Sequence, residues 1–171
     1  DHIQTNAINS WRELDENIEI IIFGNSYGTK KIAEDINALH ISDVKTNDNG
    51  VPFLSDLFKK ADQLTSNDML MFINSDIILP PNFISAIKKI KNLPSKFLMI
   101  GHRWDCNINY KIDFKTLSSD KQFWRKIFIN SIKHSPSGID YFIFKKKTFE
   151  NLPDCVVGRP GYDNWIVWNA R

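Results

Sequence analysis

The chain has 171 residues, 42% of them hydrophobic and 25% charged, and its formal net charge is +2. This composition is typical of one globular domain, and the small net charge gives no reason to expect binding to nucleic acid or to a membrane surface. No apolar run reaches the roughly 20 residues of a membrane-spanning helix, and no signal-peptide pattern opens the sequence. Cys106 and Cys155 lack metal-ligand spacing. We therefore expect a reducing, cytoplasmic location and no structural zinc.

Apolar periodicity predicts that helices and strands alternate in the first half of the chain. The predicted helices are residues 2–14, Thr29 to Leu39, Leu54 to Leu64, and a helix that begins at Pro80 and Pro81. The predicted strands are Ile18 to Phe23, a short one near His40 to Val44, and residues 69–73.

The same alternation continues in the second half. The predicted elements are a strand from Phe97 to Gly101, a helix from Phe123 towards His134, a strand from Ile139 to Phe144, a short helix near Thr148 to Asn151, and a helix from Tyr162 to Arg171. Residues 105–117 are predicted to be irregular. Alternating elements of this kind predict one α/β domain over residues 1–171, a three-layer α/β/α sandwich with a mostly parallel central sheet.

The apolar run from Met69 to Ile73 ends in polar residues that include Asn74 and Asp76. Such a run is typical of a strand buried on both faces, and open α/β sheets bind ligands at the carboxyl ends of their strands. Asn74 and Asp76 lie on the same side of an extended backbone, so they could jointly face one hard divalent cation. The alternative is that Asp76 caps the next segment.

A second polar and aromatic group, Gly101 to Asp105, directly follows the next predicted strand. Arg103 offers a planar fork for phosphate or carboxylate, and Trp104 offers a flat face for a sugar or a base. We take Arg103, Trp104 and Asp105 as candidate substrate-binding residues, together with Asn74 and Asp140. The alternative is a surface turn with a buried Trp104 and a salt-bridged Arg103.

Two later carboxylates, Asp140 and Asp163, are the remaining candidates. Asp140 lies in an apolar strand, where an unpaired carboxylate is costly, so it should be hydrogen-bonded, hold Arg103 or a loop, or lie near a cation. Asp163 falls in the first turn of a predicted helix, after a segment 158–161 that contains two glycines. There it could act as the general base towards a hydroxyl nucleophile, or it could cap the helix.

Taken together, these segments resemble the nucleotide-diphospho-sugar transferases of the GT-A type, in particular family-2-like glycosyltransferases. The resemblance covers nearly the whole chain and is carried by Asn6–Trp11, Ile20–Gly24, Asn74–Asp76, Gly101–Asp105, Gly138–Phe142 and Gly161–Trp165. Asn74-Ser75-Asp76 matches the DxD-like motif that binds metal on the donor diphosphate in such enzymes, with Asn in place of the first Asp. This match implies that Asp76 is the metal ligand. Asp163 matches the later acidic base of inverting members, although Tyr162 stands where a Glu is usual.

The resemblance implies transfer of a sugar from a UDP-, GDP- or dTDP-sugar to a glycan or another hydroxyl acceptor, with Mn²⁺ or Mg²⁺ as cofactor. It also implies a first strand that has no counterpart before residues 2–14, so we expect a domain truncated at its N-terminus. The competing hypothesis is a non-catalytic carbohydrate- or protein-binding domain of the same fold. A nucleotidyltransferase is a third hypothesis, but such an enzyme normally has a glycine-rich, basic loop near its start.

Overall fold

The computed structural model describes residues 2–93, 96–159 and 161–171, so Pro160 of the predicted loop at 158–161 lies outside the described residues. The helices are α1 (His2–Arg12), α2 (Thr29–Asp35), α3 (Leu54–Leu64), α4 (Phe83–Ile90), α5 (Phe114–Leu117), α6 (Lys121–Ile129) and α7 (Tyr162–Asn169). The strands are β1 (Ile21–Phe23), β2 (Leu39–Ile41), β3 (Met69–Ile73), β4 (Leu98–His102), β5 (Trp104–Asp105), β6 (Ile132–Lys133) and β7 (Ile139–Lys145). Within these ranges, no helix has both the length and the apolar character needed to cross a bilayer.

These strands form three small sheets. β1 and β2 are parallel, with Ile21 opposite Leu39, whereas β5 and β6 are antiparallel, with Trp104 opposite Lys133. The third sheet has the order β3-β7-β4. Its middle strand runs antiparallel to β3, because the Asn74 N–H donates to the Asp140 carbonyl at one end and the Lys146 N–H donates to the Asp68 carbonyl at the other.

The predicted fold is therefore wrong. Instead of a GT-A sandwich around one large, mostly parallel sheet, the described residues form a mixed α/β arrangement with sheets of two and three strands. The apolar runs located most strands, but they carry no information on which strands pair or in which direction. β7, which comes last along the chain, lies between β3 and β4 and runs antiparallel to β3.

Several element boundaries match the predictions and others do not. The helix from Leu54 to Leu64 and the strand at 69–73 are confirmed, although every residue of β3 is half-buried where full burial was expected. The short helix near Thr148 is wrong, because the chain makes a turn there in which Lys147 has a φ of 63°. The irregular stretch 105–117 is wrong in part, since it contains α5 and the end of β5.

The described residues fall into two compact units. The first comprises Asp1–Ile18, Phe72–Ser95 and Ile100–Phe142. In it, α1 is anchored by a buried amide, because Asn6 donates to the Tyr110 carbonyl at 2.8 Å and accepts from the Ile112 N–H at 2.9 Å. Ser10, also buried, accepts from the Leu79 N–H at 3.0 Å. Both buried polar side chains of α1 thus form hydrogen bonds with backbone groups that are distant in the sequence.

The second unit comprises Glu19–Met71, Lys96–Met99 and Ile143–Arg171. Its core contains three stacked or edge-on rings, with centroid distances of 5.1 Å between Phe58 and Phe144 and 4.9 Å between Phe144 and Phe149. Aromatic contacts at these distances add to the stabilisation that burial provides. Phe58 lies on the buried face of α3, as the helical periodicity of its apolar residues predicts.

Candidate functional site

The first unit contains an ion pair between Arg103, which follows β4, and Asp140 in β7. Nη1 of Arg103 lies 3.2 Å from Oδ1 and 3.0 Å from Oδ2 of Asp140, and the Asp140 residue is only 8% exposed. The Arg103 N–H also donates to the Gly138 carbonyl at 3.4 Å, which brings the two strand ends together. Asp140 therefore holds Arg103, one of the roles expected for it, and the nearly buried carboxylate has a cationic partner.

Asn74 belongs to the same cluster. Its side-chain Nδ2 donates to Oδ1 of Asp140 at 2.9 Å, and its backbone N–H donates to the Asp140 carbonyl at 3.0 Å. Asn74 is thus held through both its side chain and its main chain. The amide supplies a donor to the carboxylate, which an aspartate at this position would not do when ionised.

Asp105 and His134 lie on the other side of the guanidinium. Oδ1 of Asp105 is 2.8 Å from Nε of Arg103, and its Oδ2 is 2.6 Å from Nδ1 of His134. The hydrogen bond with His134, aided by the electrostatic attraction of His134 and Arg103, holds the pKa of the Asp105 carboxyl below its usual range. Asp105 is therefore an ionised partner of this cluster at neutral pH.

The guanidinium of Arg103 also contacts the imidazole of His134. Nη2 of Arg103 lies 3.1 Å from both ring nitrogens. The ring therefore lies next to both Arg103 and Asp105. We call Asn74, Arg103, Asp105, His134 and Asp140 the Arg103 cluster.

Two glycines allow the strands around this cluster to pack closely. A Cβ at Gly138 would lie 2.5 Å from Cδ2 of His134, and a Cβ at Gly101 would lie 1.9 Å from the ring of Tyr141. Glycine is therefore a steric requirement at both positions.

The Tyr141 ring that Gly101 approaches is partly buried. This burial raises the pKa of the Tyr141 hydroxyl above its usual value.

Asp76 lies outside the Arg103 cluster, in the turn after β3, and is exposed. The turn is closed by a hydrogen bond from the Ile77 N–H to the Asn74 carbonyl at 3.2 Å. It is also anchored to α1, because Nε1 of Trp11 donates to the Ile77 carbonyl at 2.8 Å. Asp76 thus presents a solvent-facing carboxylate on a turn fixed at both ends.

Trp104 is exposed and lies against Phe128, with ring centroids 4.4 Å apart. The buried tryptophan considered as an alternative is therefore wrong, whereas the salt-bridged Arg103 of that same alternative is confirmed. The remaining candidate, Asp163, belongs to the second unit. It lies in the first turn of α7, after Gly161 with a φ of 95°, and its Oδ1 accepts the Asn164 N–H at 2.8 Å.

The carboxylates of the first unit suit a hard divalent cation only if the substrate supplies further oxygen ligands. In the described part of the chain, no three His, Cys, Asp or Glu side chains form a metal-binding group. Asp105 and Asp140 form ion pairs with Arg103, so Asp76 is the exposed candidate carboxylate of the first unit that lies outside the Arg103 cluster. Mg²⁺ is commonly held by one or two carboxylates together with substrate phosphates and water. Asp76 therefore fits a cation that arrives with a diphosphate.

The sequence interpretation missed His134 as a member of the cluster. Its position depends on β6, a strand of two residues that pairs Ile132 with Asp105. No periodic pattern identifies a strand of that length. The available signal was the local composition, because His134 is followed by Ser135 and, three residues later, by Gly138. Such residues suggest a loop, which could bring the histidine close to another polar group.

Comparison with known proteins gives no relative for this chain: no family model, no curated protein and no solved structure matches it.

Proposed function

We propose that this chain is a metal-dependent glycosyltransferase domain that moves a sugar from a nucleotide-diphosphate sugar to a hydroxyl acceptor. The observation that carries the proposal is the exposed carboxylate of Asp76 on a turn fixed by Asn74 and Trp11. A fixed, solvent-facing carboxylate after a strand is suited to hold a cation against a diphosphate, because the phosphate oxygens complete the coordination. The resemblance of the six sequence segments to glycosyltransferases supports the same activity.

Each candidate residue has a separate role in this proposal. Asp76 would hold the Mn²⁺ or Mg²⁺, which when bound would supply positive charge against the diphosphate leaving group. Asp163 accepts the proton of the acceptor hydroxyl as general base. Trp104 offers its exposed face to a sugar ring.

Arg103, Asp105, Asp140 and Asn74 act as positioning residues. The guanidinium of Arg103 contacts Asp105, His134 and Asp140 through all three of its nitrogens, so direct recognition of the diphosphate would require breaking ion pairs. The Arg103 cluster instead fixes Asn74, from which the turn of Asp76 begins. We further propose a cytoplasmic location, because Cys106 and Cys155 are both free thiols.

A non-catalytic carbohydrate- or protein-binding domain is the second candidate. The specific observation in its favour is that the amide of Asn74 donates to Asp140, so that the Asn/Asp pair does not act jointly. Such a domain would bind sugar or protein without a requirement for metal.

Thermal unfolding in the presence of UDP-, GDP- and dTDP-sugars, with and without Mn²⁺, tests the proposal. One donor at about 100 times its Kd should stabilise the protein by about 2.7 kcal/mol, which is a rise in Tm of roughly 5–10 °C for a chain of this size. We expect this rise only when Mn²⁺ and the donor are both present.

The variant Asp76→Asn should lose the metal-dependent rise, because it removes the charge that holds the cation. Asp48→Asn is the matched control, since Asp48 is also an exposed carboxylate in a turn and should keep the full rise. A rise that persists without Mn²⁺, or that both variants keep, would favour the non-catalytic binding domain.

A further inference from the structure

The turn at residues 47–50 holds the side-chain amides of its two asparagines differently. Oδ1 of Asn47 accepts from the Asn49 N–H and from the Val51 N–H, each at 3.0 Å. The side-chain amide of Asn49 has no hydrogen-bond partner in the part of the chain that the structure describes, and Asn49 is exposed. The turn therefore fixes the Asn47 amide and leaves the Asn49 amide in solvent.

Glycine follows Asn49, and no other asparagine of the chain precedes a glycine. Gly50 has a φ of 74°, a left-handed conformation that glycine adopts without strain. Its N–H donates to the Asn47 carbonyl at 2.9 Å, so the nitrogen is freed only when the turn opens. Opening costs little free energy in an exposed turn, because water replaces its hydrogen bonds and few packing contacts are lost. The Gly50 nitrogen is thus intermittently free beside the Asn49 amide, and no side chain on Gly50 hinders it.

We propose that Asn49 is a site of spontaneous deamidation, an inference that is independent of glycosyl transfer. The Gly50 nitrogen loses its proton and attacks Cγ of Asn49, so that a new C–N bond closes a succinimide ring. The side-chain nitrogen of Asn49 takes up a proton and leaves as ammonia. Water then opens the ring at either of its two carbonyls and gives aspartate or isoaspartate. The reaction consumes one water and releases one ammonia, and it requires no enzyme.

The two products should affect the turn differently. Aspartate keeps the length of the backbone, whereas isoaspartate adds its Cβ atom to the backbone between residues 49 and 50. That section of backbone lies inside the closure between Asn47 and Val51, in which the Asn47 N–H donates to the Val51 carbonyl at 3.0 Å. Thr46 and Pro52 pair just outside it. We therefore expect isoaspartate, and not aspartate, to weaken this closure.

Incubation of the full chain at mildly alkaline pH, followed by intact-mass measurement and peptide mapping, tests the proposal. We expect the mass gain that accompanies replacement of an amide nitrogen by oxygen, located at Asn49, with both aspartate and isoaspartate present. The rate should rise with pH, because the attacking nitrogen must lose its proton. The Val51 N–H should exchange with solvent faster in the isoaspartate form than in Asn49→Asp.

Two substitutions separate Asn49 from the other asparagines. Asn49→Gln should lose most of the mass gain, since glutamine would have to close a six-membered ring, which forms more slowly. Asn25→Gln is the matched control, because Asn25 is also exposed in a loop but is followed by Ser26. This control should deamidate at the wild-type rate. Circular dichroism checks that each variant is folded.

Three outcomes would overturn the proposal. They are an unchanged mass of the folded wild-type chain, equal mass gains in wild type and Asn49→Gln, and a modification that maps to Asn25 in place of Asn49. An unchanged mass beside deamidation of a synthetic peptide of residues 45–53 would show that the folded turn protects Asn49.

Discussion

Arg103 and Asp140 form a two-pronged contact, in which one guanidinium nitrogen lies 3.2 and 3.0 Å from the two carboxylate oxygens. The carboxylate is almost buried and also accepts from Asn74, so the pair joins the end of β4, the start of β7 and the turn after β3. This contact makes Arg103 a structural centre of the first unit.

Arg103→Gln should lower the free energy of unfolding by about 3 kcal/mol, because it leaves Asp140 charged and nearly buried without its cation. Urea unfolding measures the change. Arg125→Gln removes an exposed arginine of the same unit and should change the free energy by less than about 0.5 kcal/mol. Equal losses in the two variants would show that the ion pair has no special structural role.

Asn74→Asp, which gives the segment the sequence Asp-Ser-Asp, should destabilise the protein by about 1–3 kcal/mol. The change removes the donor to Asp140 and sets two carboxylates against each other. Asn49→Asp in an exposed turn is the control, and we expect little effect from it. A stable Asn74→Asp variant would mean that the amide contributes no donor that this site needs.

Acid should weaken the contact between Asp105 and His134. The pKa of Asp105 is lowered in the folded protein, so its contribution to stability is present above its ordinary pKa of about 3.9 and is lost as the pH falls through the folded value. Urea unfolding from pH 6 downward should therefore give a steeper loss of stability for wild type than for Asp105→Asn. Identical slopes would show that the contacts of Asp105 in the folded protein do not stabilise its ionised form.

Gly101→Ala should destabilise the protein by about 1–3 kcal/mol, because the new Cβ would lie 1.9 Å from the Tyr141 ring. The same substitution should cost much less in a Tyr141→Ala background, where the overlap is gone. A double-mutant cycle in urea measures this coupling. If the two costs are equal, the close approach of the backbone at Gly101 to the ring is not the reason for glycine at this position.

The sequence predicted individual elements better than their assembly. The periodicity of Leu54 to Leu64 and the apolar run at 69–73 are local signals, and the structure has α3 and β3 at those positions. The pairing of β7 with both β3 and β4 depends on residues about 40 to 70 positions away, for which a single sequence offers no local signal. This difference explains why the elements were located while the parallel sandwich was wrong.

The candidate site was predictable to a similar extent. A carboxylate in the apolar context of Asp140 requires a partner on physical grounds, and Arg103 was among those expected. His134 was missed because a two-residue strand brings it to Asp105. The roles of Asp76 and Asp163 in catalysis stay predictions.

Release of nucleoside diphosphate from UDP-, GDP- and dTDP-sugars, in the presence of glycan acceptors, is the direct test of metal-dependent sugar transfer. We expect release that requires Mn²⁺ or Mg²⁺, is lost in Asp76→Asn and persists in Asp48→Asn. Asp163→Ala should keep the metal-dependent rise in Tm with the donor but lose transfer. Release that needs no metal, or that Asp76→Asn retains in full, would contradict the proposed role of Asp76.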